Sequence, residues 1–165
     1  MKKSTNGFTI VELLIVILVI AILAAISVVA FNGVQNRAVD AAIRADLANV
    51  AKKLETARTD YNRYPANISE LPTDIKFTKA VYNLERNNAY LCINTVQDTY
   101  AFTIAGKNGK SYALTSGGGS SIQVVASNNG NTTCALINAT WGASDTYVRQ
   151  FYGGSTKVWA VPWDK

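Results

Sequence analysis

Glu12 is the only charged residue between Phe8 and Phe31, a run of about 24 residues that is otherwise apolar or small. A carboxylate held near the centre of a bilayer costs roughly 2.5–3.5 kcal/mol on insertion scales, and less near the interface. A glutamate in such a run therefore calls for a cationic partner. Elsewhere the reactive residues are sparse. Histidine is absent, which removes the commonest general acid–base and metal-binding side chain. The two cysteines, Cys92 and Cys134, are far apart with no Cys-x-x-Cys spacing, which disfavours zinc and thioredoxin-like chemistry. If the chain is exported, they are expected to form a disulfide. There is no P-loop, no Gly-x-Ser-x-Gly and no Cys–His pair, so no enzyme, cofactor or catalytic residue is expected.

The run from Phe8 to Phe31 is long enough to cross a bilayer as a tilted helix. It exceeds the 7–15 apolar residues of a cleaved secretory signal and continues as Val-Gln-Asn-Arg-Ala-Val-Asp-Ala-Ala. Lys2 and Lys3 would hold the N-terminus in the cytoplasm. A plain signal anchor fits the length but leaves Gly7 and Glu12 unexplained.

Lys2-Lys3-Ser4-Thr5-Asn6-Gly7, followed by Phe8-Thr9-Ile10-Val11-Glu12-Leu13-Leu14, resembles the class III signal of type IV pilins and pseudopilins. The resemblance implies cleavage between Gly7 and Phe8 by prepilin peptidase and N-methylation of Phe8. It also gives an assembly role to Glu12, which stands fifth counting from Phe8. Its carboxylate would meet the Phe8 amine of a neighbouring subunit. Two opposite charges in an apolar setting gain far more from pairing than in water.

After Phe31 the helical period persists. Val39, Ile43, Leu47, Val50, Leu54, Ala57 and Tyr61 recur at spacings of three and four and predict one apolar face. Asp40 and Arg44 are spaced to pair on the exposed side. A helix from Phe8 to Tyr61 would reach roughly 80 Å at 1.5 Å per residue, apolar all round in one half and amphipathic in the other. It should end before Pro65, and the following segment, with Tyr64-Pro65, also resembles the Tyr-Pro segment after the long helix of that family.

The period then becomes two, predicting strands at Phe77–Leu84, Ala89–Val96, Thr99–Ala105, Ser111–Thr115 and Ser121–Ala126. Asn108-Gly109 predicts a hairpin turn with positive φ at both central positions. Residues 116–121 and 128–133 read as loops. Asn67, Asn131 and Asn138 head N-glycosylation sequons, read as chance in an Asn/Thr/Ser-rich chain. The tail, with Trp141, Tyr147, Phe151, Tyr152, Trp159 and Trp163, is read as extra strands or sheet packing rather than an adhesive surface.

Two features depart from the family. The glycine and proline that bend the membrane half of many major pilins are replaced by Ala-Ile-Leu-Ala-Ala-Ile-Ser-Val-Val-Ala, leaving Gly33 as a softer point. Asp145 and Asp164 stand apart, unlike the calcium loop of secretion-system pseudopilins, so no metal is expected.

The expected fold class is α+β, a pilin fold with a long N-terminal helix packed on an antiparallel sheet. Its parts are a leader at 1–7, a membrane and filament-core half at 8–31, and an extracellular globular domain at 32–165. The resemblance implies a structural subunit, held single-pass in a bacterial cytoplasmic membrane with its N-terminus inside, then polymerised into an extracellular filament for adhesion, twitching motility or DNA uptake. The implied partners are further copies of the chain, prepilin peptidase and an inner-membrane assembly platform with a separate ATPase motor. A host surface or DNA would be a partner of the filament. The alternatives are a pseudopilin or minor pilin of a type II secretion or competence machine, or a monomeric membrane-anchored binding domain. Loss of the leader takes Lys2 and Lys3 and lowers the net charge from +5 to +3, with 14 basic against 11 acidic residues.

Mass spectrometry of membrane-extracted protein should find a chain beginning at Phe8. Gly7→Leu should leave residues 1–7 attached, because a bulky side chain would obstruct the extended backbone that a peptidase needs.

Overall fold

The computed structural model of the protein describes residues 7–72, 75, 77–82, 87–117 and 121–152. Helix α1 spans Ile10–Tyr61 and runs through Gly33 without a break. The contacts divide the chain into two compact units, one up to Ala38 and one from Val39. The first is the apolar part of α1, long and apolar enough to cross a membrane by length and composition.

In the second unit, Ile43, Leu47, Val50 and Leu54 are fully buried and Ala57 nearly so. The predicted stripe stops one turn early, since Tyr61 is 46% exposed. The helix ends because Asn62 takes φ 53°, a left-handed conformation that asparagine tolerates after a helix. The exit is fastened to the turn between β1 (Asn87–Asn94) and β2 (Thr99–Ala105). Asp98 accepts from the Tyr64 N–H at 2.7 Å and from Arg58 Nε at 2.7 Å. Tyr64 lies edge-on to Tyr100, with ring centroids 4.8 Å apart, and donates its hydroxyl to Glu55 at 2.6 Å. Burial and that bond raise the Tyr64 pKa.

The next residues fold around Glu70. Arg63 grips its carboxylate with two bonds of 2.8 and 2.9 Å, and the Ala66 N–H and Asn67 Nδ2 add bonds of 2.8 and 2.6 Å. Asn67 Oδ1 in turn caps the short 3₁₀ turn Ile68–Glu70. Leu71 and Ile75 then enter the core.

The strand predicted over Phe77–Leu84 does not form across the described part of that range, residues 77–82. Lys79–Val81 is a 3₁₀ turn, and only Tyr82 makes a bridge, to Gly106. The cause is Asp46, buried on α1. It accepts from the Thr78 N–H at 2.7 Å, the Thr78 hydroxyl at 3.1 Å and the Tyr82 hydroxyl at 2.7 Å. An extended strand would set residues four apart about 13 Å from each other, and convergence on one carboxylate favours a turn instead.

The sheet contains β1, β2, β3 (Ser111–Thr115), β4 (Ser121–Val125) and β5 (Thr146–Tyr152), in the order β4-β3-β2-β1-β5. Every neighbouring pair is antiparallel. One face carries Leu91, Ile93, Tyr100, Phe102, Ile104 and Leu114 into the core shared with α1. Across the opposite face lies the short helix α2, Gly130–Ala135. The protein is α+β, with the long helix on one side of a five-stranded antiparallel sheet.

Helix α2 replaces the loop read at 128–133. Asn129 and Thr132 form a reciprocal capping box, in which Asn129 Oδ1 accepts from the Thr132 N–H and the Thr132 hydroxyl accepts from the Asn129 N–H. Cys92 on β1 and Cys134 on α2 are joined in a disulfide, both fully buried, with Cα atoms 5.3 Å apart. Beside them the hydroxyls of Thr103 and Thr133 meet at 2.6 Å. Gly130 is needed for close packing, since a Cβ there would sit 2.4 Å from Cδ2 of Trp141.

The tail does supply an extra strand, β5, paired with β1, and Trp141 packs edge-on to Tyr90. Trp159 and Trp163 lie outside the described residues, as do residues 118–120 of the Gly/Ser loop. The β2–β3 turn also differs from its expected form. Only Gly109 takes positive φ, at 75°, with the Gly106 N–H donating to the Lys110 carbonyl at 2.9 Å across a three-residue loop. Asn108 instead donates to the Tyr112 hydroxyl at 2.7 Å, which itself donates to Asp40 at 2.9 Å.

Arg63 and the Ala66 N–H pull the Glu70 pKa down from 4.5 to about 2. A folded pKa below the unfolded one contributes stability above the unfolded value, and that contribution is lost as pH falls through the window to the folded value. Denaturant unfolding of the wild type should therefore lose stability between pH 4.5 and pH 2. Glu70→Gln should be less stable at pH 7 and show a flatter pH dependence across that window.

Candidate functional site

The sequence motif at the head of α1 becomes a defined local structure. Thr9 is the N-cap and Glu12 stands in the first turn. The Thr9 N–H and the Thr9 hydroxyl both donate to Glu12 Oε2 at 2.8 Å, and the Glu12 N–H donates back to Thr9 Oγ1 at 3.2 Å. The Leu13 N–H closes the first turn onto the Thr9 carbonyl at 3.4 Å. Thr-x-x-Glu before an apolar run is the signature of a capping box, and Thr9 is the site residue that the reading of spacing and charge missed.

The box satisfies donors that a helix start leaves open. It also sets a negative charge at the positive end of the helix dipole. Both donated bonds reach one carboxylate oxygen. Glu12 Oε1 has no hydrogen-bond partner among the described residues.

Gly7 and Phe8 precede the helix in non-helical backbone. Phe8 is 81% exposed. Among the described residues nothing lies within 4 Å of where a Cβ on Gly7 would be, so their packing places no demand for glycine there. Any need for it lies in what handles the segment. Beyond the box, the large apolar side chains from Ile10 to Val28 whose exposure is described are roughly half to four-fifths exposed. Their surroundings must come from lipid or from other chains.

A family model described as the prokaryotic N-terminal methylation motif matches residues 2–28. The chain is also 39% identical over 69 residues to the type IV wide pilus major component PilA4 of Thermus thermophilus. Both findings support a place in the type IV pilin family. The matched stretch is 42% of this chain and 53% of that relative, so the chain matches about half the relative's length. No solved structure matches it.

The motif's residues are thus adjacent in this chain, at the head of α1. The cysteines serve elsewhere, between the sheet and α2. Cleavage between Gly7 and Phe8 would leave the capping box whole, because its donors are the Thr9 N–H and hydroxyl.

Thr9→Ala removes the hydroxyl that gives one bond to Glu12 and accepts another. Loss of a threonine cap costs typically about 1 kcal/mol. In detergent micelles, amide exchange over residues 10–13 should speed up about fivefold, with the rest of α1 unchanged.

Proposed function

We propose that this chain is a structural subunit, held in the membrane by the apolar part of α1 and polymerised from there into an extracellular filament. One observation carries the reading. Glu12 is the sole charge on an exposed apolar helix surface, and one of its carboxylate oxygens has no partner among the described residues. On this reading prepilin peptidase removes residues 1–7, Phe8 becomes the N-methylated terminus, and 8–31 serves first as a membrane span and then as filament core. Residues 32–165 form the globular part outside, and a membrane platform with a separate ATPase drives assembly.

The chemistry assigns the pairing. A helix packed among other apolar helices loses its lipid headgroups and water, and an unpaired carboxylate there is strongly disfavoured. The amine created at Phe8 of an incoming copy supplies the missing cation, and Oε1 is the oxygen free to receive it. The pair forms in one axial register only, because each helix carries one such charge.

Glu12→Ala should insert and be processed normally, since the run becomes more apolar, yet filament yield should fall at least tenfold. Glu12→Gln keeps the shape and hydrogen bonding without the charge and should rescue little. Filament yield is compared with the membrane pool of processed subunit. Normal filaments from Glu12→Ala would remove the register role, and an absence of filaments from the wild type would favour a monomeric anchored domain.

A further inference from the structure

The β2–β3 turn is fastened from several directions. Tyr82 bridges to Gly106, the Lys107 N–H donates to the Val81 carbonyl at 2.8 Å, and the Gly106 N–H donates to the Lys110 carbonyl at 2.9 Å. Gly106 is pressed onto α1, since a Cβ there would come 2.5 Å from Ile43 Cδ1. The Tyr112 hydroxyl ties the end of the turn to Asp40. The turn is thus fixed beside residues 40–43 of α1, with Lys107 and Lys110 both exposed.

Their charge is not cancelled locally. Asp40 interacts electrostatically with Lys110, but both of its oxygens are engaged, one by Arg44 Nε and one by the Tyr112 hydroxyl, each at 2.9 Å. Asp46 is buried and is spent on Thr78 and Tyr82. With Arg44 set against Asp40, the two lysines are surplus positive charge at this end of the compact unit. Nine residues of α1 separate Phe31, the end of the apolar run, from Asp40, a rise of about 14 Å. The headgroup layer of a bilayer takes up roughly 5–7 Å of that rise. The remaining gap is close to the Debye length of ~8 Å at physiological ionic strength, and a lysine carries its charge on a long flexible stem that can span much of it.

We infer that the Lys107–Lys110 turn is a docking surface for anionic phospholipid, at which the two ammonium groups engage headgroup phosphates. The inference rests on the membrane-held state proposed above. Basic side chains beside a membrane span are drawn to anionic headgroups by charge alone. A second copy held in the same membrane would present the same positive turn at the same height and be repelled by it, so lipid is the occupant that fits. The contact would steady the compact unit against the membrane before assembly, and it would weaken as salt rises.

The test reads each ammonium group directly. The full chain is placed at one copy per nanodisc, in phosphatidylcholine alone or in an equal mixture with phosphatidylglycerol. Acetylation by an amine-reactive ester is then followed at each lysine by peptide mass. Lys52, exposed and about 18 Å farther along α1 than Asp40, is the reference. In the mixed discs Lys107 and Lys110 should react about threefold more slowly relative to Lys52 than in the choline discs, and high salt should remove the difference. Lys107→Gln leaves the main-chain bonds of the turn in place and should restore at least half of the Lys110 rate, with Cys92 still bonded to Cys134. The inference is overturned if the two lysines slow no more than Lys52, or if Lys107→Gln leaves Lys110 fully protected. It is equally overturned if inorganic phosphate protects them in choline discs, or if protection needs a second copy in the disc rather than anionic lipid. A chain that enters neither disc would overturn the membrane-held reading itself, a result distinct from insertion without protection.

Discussion

Burial of Ile43, Leu47, Val50 and Leu54 beneath the sheet is the contact on which the rest of the compact unit depends. Each side chain is fully covered, and full burial of such a residue contributes roughly 1.5–3 kcal/mol. The stripe fixes which face of α1 is turned to the sheet. That in turn decides which carboxylates lie at its borders. Asp46 falls inside the border and collects the residues after Ile75. Asp40 and Glu55 fall at its edges and receive the hydroxyls of Tyr112 and Tyr64. The apolar stripe orients the helix, and the carboxylates beside it specify where the loops land.

The second face of the sheet is secured differently. Helix α2 has six residues, too few to be stable in isolation. Its capping box, the hydroxyl pair of Thr103 and Thr133, the Trp141 ring against Gly130 and the Cys92–Cys134 bond together compensate for its length. The disulfide closes a loop spanning 42 residues, which in the chain-entropy model is worth at most about 4 kcal/mol. A covalent tie suits a layer too small to hold itself down by apolar area alone.

The elements that were legible in the sequence are those whose signal is periodic. The α1 stripe, the four strands from β1 to β4 and the Asp40–Arg44 pair were all readable from spacing. The departures arise where a long-range polar contact overrides a local pattern. Residues 77–82 include Phe, Thr, Val and Tyr, types that favour strands, but Asp46, more than thirty positions earlier, bends them into a turn. Helix α2 was hidden in a run of Asn and Thr that reads as loop, because its stability comes from caps and a buried cysteine rather than from an apolar stripe. At the head of α1, Gly7, Phe8 and Glu12 stood out by type and position. Thr9 did not, although the Thr-x-x-Glu spacing was there to read.

That capping box clarifies how one carboxylate can serve in two environments. Glu12 lies four residues into the apolar run, near its end rather than its centre, where the insertion cost is smaller. Two bonds from Thr9 offset part of the remaining cost. In the proposed membrane-held state, the charge is therefore tolerable without a partner. In the proposed filament, packing among other helices removes the nearby water and raises the cost of leaving it unpaired. The difference between these settings, rather than the strength of the ion pair alone, would make assembly selective for register. A helix that slides by one turn keeps its apolar contacts almost unchanged but separates the charges by about 5.4 Å. Apolar packing alone discriminates poorly between such registers, whereas a single buried charge penalises every one but the paired arrangement.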